Sequence, residues 1–161
     1  PYREIKKCKY QEMKIIKLVL IIFSFTGLSQ AQQSLTTSQH AVQQTVIKMF
    51  SALSGRDSVS LKSYCADDVT FYEYGQVWNI DTLITRAIVL NTANDFKRVN
   101  TLDFINTTVK KNTAWATYNL QSEITSHGKQ RIVQWMETVV LVKKKRGWKI
   151  KVLHSSLIKQ N

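Results

Sequence analysis

The sequence predicts one α+β domain, with helices gathered early and packed on one face of a curled antiparallel sheet. Three observations carry this. Apolar residues recur at three- and four-residue steps before about residue 88, long alternating runs fill the remainder, and 161 residues suit one domain rather than two. At 43% hydrophobic, with one Pro and five Gly, the chain can build a core and is neither disordered nor collagen-like. Two cysteines, Cys8 and Cys65, are too few for a disulfide scaffold or a Cys-based zinc site.

The leader comes first. From Met13 the sequence reads MKIIKLVLIIFSFTGLSQAQQ, with Lys14 and Lys17 as a basic head, an apolar run from Leu18 to Leu28, and Ser29-Gln30-Ala31 as a small-x-small cleavage site. This predicts a secretory signal peptide over 13–31, and the apolar run is well short of the ~20 residues of a spanning helix. Residues 1–12 read as an upstream extension outside the fold. Cleavage after Ala31 leaves a domain over 32–161 with 17 Lys and Arg against 9 Asp and Glu, and Cys65 as its one cysteine. A secreted or periplasmic protein follows, with no stable membrane insertion after cleavage.

Within the domain, Thr37 or Ser38 can cap a first helix in which Val42, Val46, Met49, Phe50 and Leu53 share a face until Gly55. Asp57 caps a shorter second helix through Leu61, Tyr64 and Cys65, where Cys65 reads as a small buried apolar residue. Val69 to Trp78 is aromatic and β-branched and reads as a strand, and Asn79 or Asp81 caps a third helix carrying Leu83, Ile84, Ala87 and Ile88. Four strands follow at Phe96–Val109, Thr113–Thr125, Ile132–Val142 and Trp148–Ile158, joined by short polar turns. The order is α-α-β-α-β-β-β-β, and a curled sheet closed by helices encloses a pocket.

Because side chains alternate along a strand, polar residues that interrupt an apolar face are candidates for the pocket. His154 continues the face of Trp148, Ile150 and Val152; Glu137 interrupts Val133, Trp135, Val139 and Leu141. Tyr118 and Ser122 fall on the apolar face of the Thr113–Thr125 run, and Glu73 falls among Val69, Phe71 and Val77. The strand from Phe96 offers no clean split. Glu137 and His154 lie at nearly equal distances from the Lys143–Gly147 turn and are expected to meet, either as a general acid/base pair or as a buried structural hydrogen bond. Trp78, Trp115, Trp135 and Trp148 read either as pocket wall or as ordinary core.

The exclusions are as informative. His40, His127 and His154 show no metal-ligand spacing, and there is no Gly-rich phosphate loop or Gly-x-Ser-x-Gly elbow, so no metal or other cofactor is expected. Lys143-Lys144-Lys145-Arg146 raises nucleic acid as a partner. A solvated hairpin tip on an exported protein is the simpler reading, and no nucleic acid is expected.

The segment WMETVVLVKKKRGWKIKVLHSSLI from Trp135 to Ile158 resembles the C-terminal hairpin of the nuclear transport factor 2-like superfamily, in particular its SnoaL-like and ketosteroid-isomerase-like bacterial members. Ala66-Asp67-Asp68-Val69 and Glu73-Tyr74-Gly75-Gln76-Val77-Trp78 are similar to that superfamily's first strand and turn. The resemblance implies a cone-shaped fold, a bent sheet wrapped around a long helix, often dimeric through the sheet. Its members include isomerases, dehydratases and cyclases as well as binding and assembly proteins, so the fold selects no activity. Neither the Tyr/Asp/Asp set of the steroid isomerases nor the dehydratase pair of histidines can be placed on this chain. The function expected is a small-molecule-binding domain with an aromatic-lined apolar pocket, Glu137 and His154 as candidate catalytic residues and Glu73, Tyr118, Trp135 and Trp148 as candidate ligand contacts. The alternative is a non-catalytic dimeric interaction or assembly domain.

Overall fold

The computed structural model describes residues 34–160, so the expected leader (13–31) and the upstream extension (1–12) lie outside the described residues. The domain opens with α1 (Thr37–Ser54), α2 (Ser58–Tyr64), β1 (Cys65–Glu73) and β2 (Gln76–Trp78). It continues through α3 (Ile80–Ile84), a π-helical turn (Thr85–Val89), β3 (Lys97–Lys110), β4 (Thr113–Ser126), β5 (Lys129–Lys144) and β6 (Gly147–Gln160).

Thr36 caps α1, one residue before the position the sequence suggested: its hydroxyl accepts from the Gln39 amide while the Gln39 side chain accepts from the Thr36 amide. Val42, Val46, Met49, Phe50 and Leu53 are buried, as their spacing requires. Asp57 and Asn79 cap α2 and α3 through Ser60 and Thr82. Cys65, at the end of α2, is a buried free thiol, and burial pushes its pKa up to about 12, which makes it an inert core group.

The sheet order is β2-β1-β6-β5-β4-β3. Two features depart from the expected antiparallel sheet. The run Val69 to Trp78 is a hairpin rather than one strand: Tyr74 and Gly75 take φ of 50° and 71°, the left-handed pair of a two-residue turn, and fold β2 back on β1. In addition β1 lies parallel to β6, so the sheet is mixed. The helices and β3–β5 between them in sequence make this crossover possible.

Three bulges bend the long antiparallel strands, and the β1–β6 register also shifts between Cys65 and Thr70. Ile105 has no partner between Phe104↔Tyr118 and Asn106↔Thr117, Lys151 none between Leu141↔Ile150 and Val140↔Val152, and Ile158 none between Gln134↔Lys159 and Trp135↔Leu157. Each extra residue kinks its strand and increases twist, curling the sheet around α1. The helix is tied to β3 at both ends. Gln39 and Gln43 donate to the Thr107 carbonyl and hydroxyl at 2.7 and 3.0 Å, and Asn100 donates to Ser54 Oγ at 2.7 Å. The core between them contains Tyr118, Leu120, Val139, Leu141, Ile150 and Leu153, all at most 2% exposed.

The Lys143 amide donates to the Asn112 carbonyl at 2.8 Å, which joins the β3–β4 and β5–β6 turns at one end of the sheet. Lys110, Lys111 and Lys143 to Arg146 therefore share that end, where the basic run is the solvated hairpin tip its composition suggested. Among the described residues no helix is long and apolar enough to cross a membrane.

Candidate functional site

At the opposite end the C-terminal half of α1, the β1–β2 hairpin, α3 with its π-helical turn, and β3–β6 enclose a cavity of about 200 Å³. This is below the ~300–1,000 Å³ usual for drug-sized ligands, so it fits one ring or a short chain. Its walls are apolar and aromatic, with Phe50, Phe71, Trp78, Phe96 and Trp135 among them.

The cavity is not simply apolar. Arg86, Arg98 and Arg131 line it together with Glu73 and Glu137. Arg98 projects from β3, paired with Ile124 on the inner face of β4, and donates from Nη2 and Nε to Ser122 Oγ at 3.0 and 3.3 Å and from Nε to Asn100 Oδ1 at 3.0 Å. Its guanidinium stands 5.8 Å from the Trp135 ring, and that of Arg86 stands 4.9 Å from Trp78, so aromatic faces hold both cations at the wall. No ion pair joins an arginine to a glutamate here; the ion pairs among the described residues are Lys62–Asp81 and Lys151–Asp68. Three cations, the half-buried Arg98 and the exposed Arg86 and Arg131, therefore line the pocket with two carboxyls that do not neutralise them by contact.

Glu137 is 3% exposed and sits opposite Ser155 in the β5–β6 register. Ser155 Oγ lies 2.8 Å from Glu137 Oε1 and 2.8 Å from Glu73 Oε1, bridging the two carboxyls. Burial pushes the Glu137 carboxyl up to about 7 and raises Glu73 as well, against the lowering effect of Ser155 and the Arg98 charge. The other Glu137 oxygen, Oε2, is buried without a hydrogen-bond partner, as is the Tyr118 hydroxyl. That hydroxyl lies beside the carboxyl, near enough to act on its proton but short of hydrogen-bond geometry, and full burial holds the phenol well above its ordinary value.

The expected residues divide clearly. Glu73, Trp135 and Glu137 line the cavity. Tyr118, fully buried, stands behind it against Phe50 and Phe104. Trp148 is core at the basic end, beneath Lys143, and does not reach the cavity. His154 is the correction. The bulge at Lys151 shifts the phase of β6, so Leu153 and Ser155 turn inward while His154 pairs with Thr138 on the outer face, exposed beside Tyr72. Glu137 and His154 are thus on opposite faces and form no pair; Ser155 takes the place assigned to His154. The arginines are not among the residues the sequence singles out. Arg98, Asn100, Leu102 and Phe104 alternate on one face of β3 and pair with Ile124, Ser122, Leu120 and Tyr118, a split visible in the sequence once that strand's start is known. Among the described residues no three His, Cys, Asp or Glu side chains converge as a metal site.

The profile of the SnoaL-like domain family matches residues 42–160, so the chain belongs to that family. No curated protein matches. The fold is that of the nuclear transport factor 2-like superfamily, shared with several solved structures. An NTF2-like protein from Cytophaga hutchinsonii superposes with a TM-score of 0.65 at 15% identity, over 76% of this chain and 100% of that one. A ketosteroid isomerase-like protein from Erwinia carotovora atroseptica gives 0.62 at 15%, over 78% and 99%. The CaMKII hub of S. rosetta gives 0.63 at 21%, over 78% and 100%. These likenesses establish the architecture and leave the activity to the pocket.

Proposed function

We propose that the chain is an exported small-molecule-binding domain whose pocket takes a small amphipathic anion, a carboxylate on an aromatic or short aliphatic body. The observation that carries the reading is the presence of Arg86, Arg98 and Arg131 on an aromatic wall with no ion pair to Glu73 or Glu137. The Arg98 guanidinium, partly withdrawn from solvent, with the exposed Arg86 and Arg131 at the pocket mouth, favours a planar anion able to accept paired hydrogen bonds. The volume limits the body to about one ring. Thermal denaturation with benzoate, phenylacetate and butyrate, each against its neutral amide, tests this. At a hundred times the dissociation constant a true ligand adds about 2.7 kcal/mol of stability. Stabilisation by the acids and not the amides, lost in Arg98→Gln, is the expected result; equal response to acids and amides refutes it.

Export rests on the leader pattern in the sequence. Intact-mass analysis of secreted material should give a chain beginning at Gln32, and a cytoplasmic product retaining Met13 would refute export.

A second reading, a dimeric interaction or assembly domain, draws support from the outer face of the sheet. Val99, Ile132, Met136 and Ile158 are exposed there, and a groove of about 350 Å³ runs past Thr101, Asp103, Gln134 and Ile158. Light scattering of the purified domain and of Met136→Glu distinguishes the cases: a dimer that the charge dissociates supports the assembly role, and a monomer in both removes it.

A further inference from the structure

Ser155 carries one hydroxyl hydrogen and stands 2.8 Å from a carboxylate oxygen on each side, Glu73 Oε1 on β1 and Glu137 Oε1 on β5. A serine hydroxyl can donate to only one of them. Were both carboxyls ionised, the second contact would bring two oxygens together with no proton between them. Both contacts are satisfied when one carboxyl is protonated and donates to the serine oxygen while the serine donates to the other. From this geometry we infer that Glu73, Ser155 and Glu137 form a proton relay in which the pair of carboxyls holds one proton at neutral pH, stored at Glu137 and passed through Ser155 to Glu73 at the cavity wall.

The transfer balances without any other reagent. Glu137 gives its proton to Ser155 Oγ as Ser155 gives its own to Glu73; the O–H bond at Glu137 breaks, one forms at Glu73, and the negative charge moves the other way. Glu73 then presents an acid to the pocket, and the reverse shift restores a base. The surroundings favour storage at Glu137. It is the more deeply buried of the two, at 3% exposure, whereas Glu73 is half-buried and faces the cavity. The charged and titratable groups facing the pair are Arg98 from β3, which favours the remaining negative charge, Tyr118 from β4 beside Glu137, and His154, felt by Glu73 from the far side of β6. Tyr74 and Arg131 act on the same cluster through Arg98. One carboxylate rather than two also leaves the arginines more net positive charge for an anion, which deepens the pocket reading. The relay itself does not depend on it.

The test uses the full chain without ligand. Side-chain carboxyl carbons of Glu are labelled and followed by NMR against pH, with Glu73→Gln and Glu137→Gln to assign them. The expected wild-type result is one proton retained by the pair at pH 6 and two curves that each show both steps, as coupled sites do. Ser155→Thr, which keeps the hydroxyl, should preserve the coupling; Ser155→Ala should weaken it, leaving only the direct charge repulsion between the carboxyls. If Ser155→Ala does not fold, Ser155→Cys, whose thiol is a much weaker hydrogen-bond donor, is read in its place and should weaken the coupling in the same sense. Two fully ionised carboxyls at pH 6, or a Glu73 curve unchanged by these substitutions, would overturn the relay. Failure of every carboxylate to bind leaves the curves where they are and counts against the pocket reading alone.

Discussion

A carboxyl held at about 7 by burial makes stability depend on pH with a defined sign. The folded chain binds the Glu137 proton more tightly than the unfolded one. The contribution is therefore complete below the ordinary carboxylate pKa and is lost as pH rises towards and through about 7. The difference between the two values corresponds to roughly 3 kcal/mol. Glu137→Gln, which keeps the shape and remains neutral, should flatten this profile, with denaturant unfolding at pH 5 and 8 as the measurement; an unchanged slope would place the titration elsewhere. The neighbouring Tyr118 hydroxyl is buried without a partner, so Tyr118→Phe should leave the melting temperature level or higher at pH 5 and push the Glu137 titration further up. A loss of about 1–3 kcal/mol, the cost of breaking a buried hydrogen bond, would show that the hydroxyl has a partner after all.

At the scale of the element, one bulged residue in β6 decides which side chains meet the cavity. Before Lys151 the inward positions are Trp148 and Ile150; after it they are Leu153 and Ser155. Leu153→Ala should therefore cost about 2–5 kcal/mol through the cavity it leaves, as should Ile150→Ala, whereas His154→Ala should stay within about 0.5 kcal/mol. Urea unfolding of the three variants measures this directly, and a costly His154→Ala with a harmless Leu153→Ala would restore the unbulged phase. The π-helical turn at Thr85–Val89 is a comparable device in the helical layer. It carries Arg86 to the cavity and over Trp78, at the end of a helix too short to present it otherwise.

Across the described domain as a whole, two basic groups lie at opposite ends of the cone. The lysine-rich turns gather at one end, joined through Asn112, and Arg86, Arg98 and Arg131 line the pocket at the other. The first group is solvated and screened by salt, as are the exposed Arg86 and Arg131, whereas Arg98 is half-buried in the pocket wall, where its field is stronger. Carboxylate binding should accordingly survive replacement of Lys144 and Lys145 by Gln and fail on replacement of Arg98, with isothermal titration of benzoate as the measurement. Equal losses in the two variants would mean that net charge, rather than the site, attracts the anion.

The sequence by itself determined the helices, their caps to within a residue, the four long strands, and the burial of Glu137 and Tyr118, because 3.6- and 2-residue periodicities follow from backbone geometry alone. Of the two stretches that resemble the superfamily, Trp135 to Ile158 lies in the last two of those strands and the other in the β1–β2 hairpin. Gly75 marks a turn in the structure, whereas the sequence predicts one strand from Val69 to Trp78, since the signal of β-branched and aromatic residues outweighs a single glycine. Only the tertiary structure decided the phase of β6. A bulge answers to curvature imposed by neighbouring strands, and nothing local at Lys151 announces it. Hence His154, correctly placed by alternation up to Ile150, faces solvent, and Ser155 faces the carboxyls. The meeting of Glu73 with Glu137 is likewise a product of the parallel β1–β6 pairing, which brings together residues 64 positions apart. The arginines converge only in the tertiary structure: their charge is plain in the sequence, but the wall that collects Arg86, Arg98 and Arg131 from the π-helical turn, β3 and β5 exists only once the sheet has closed on α1.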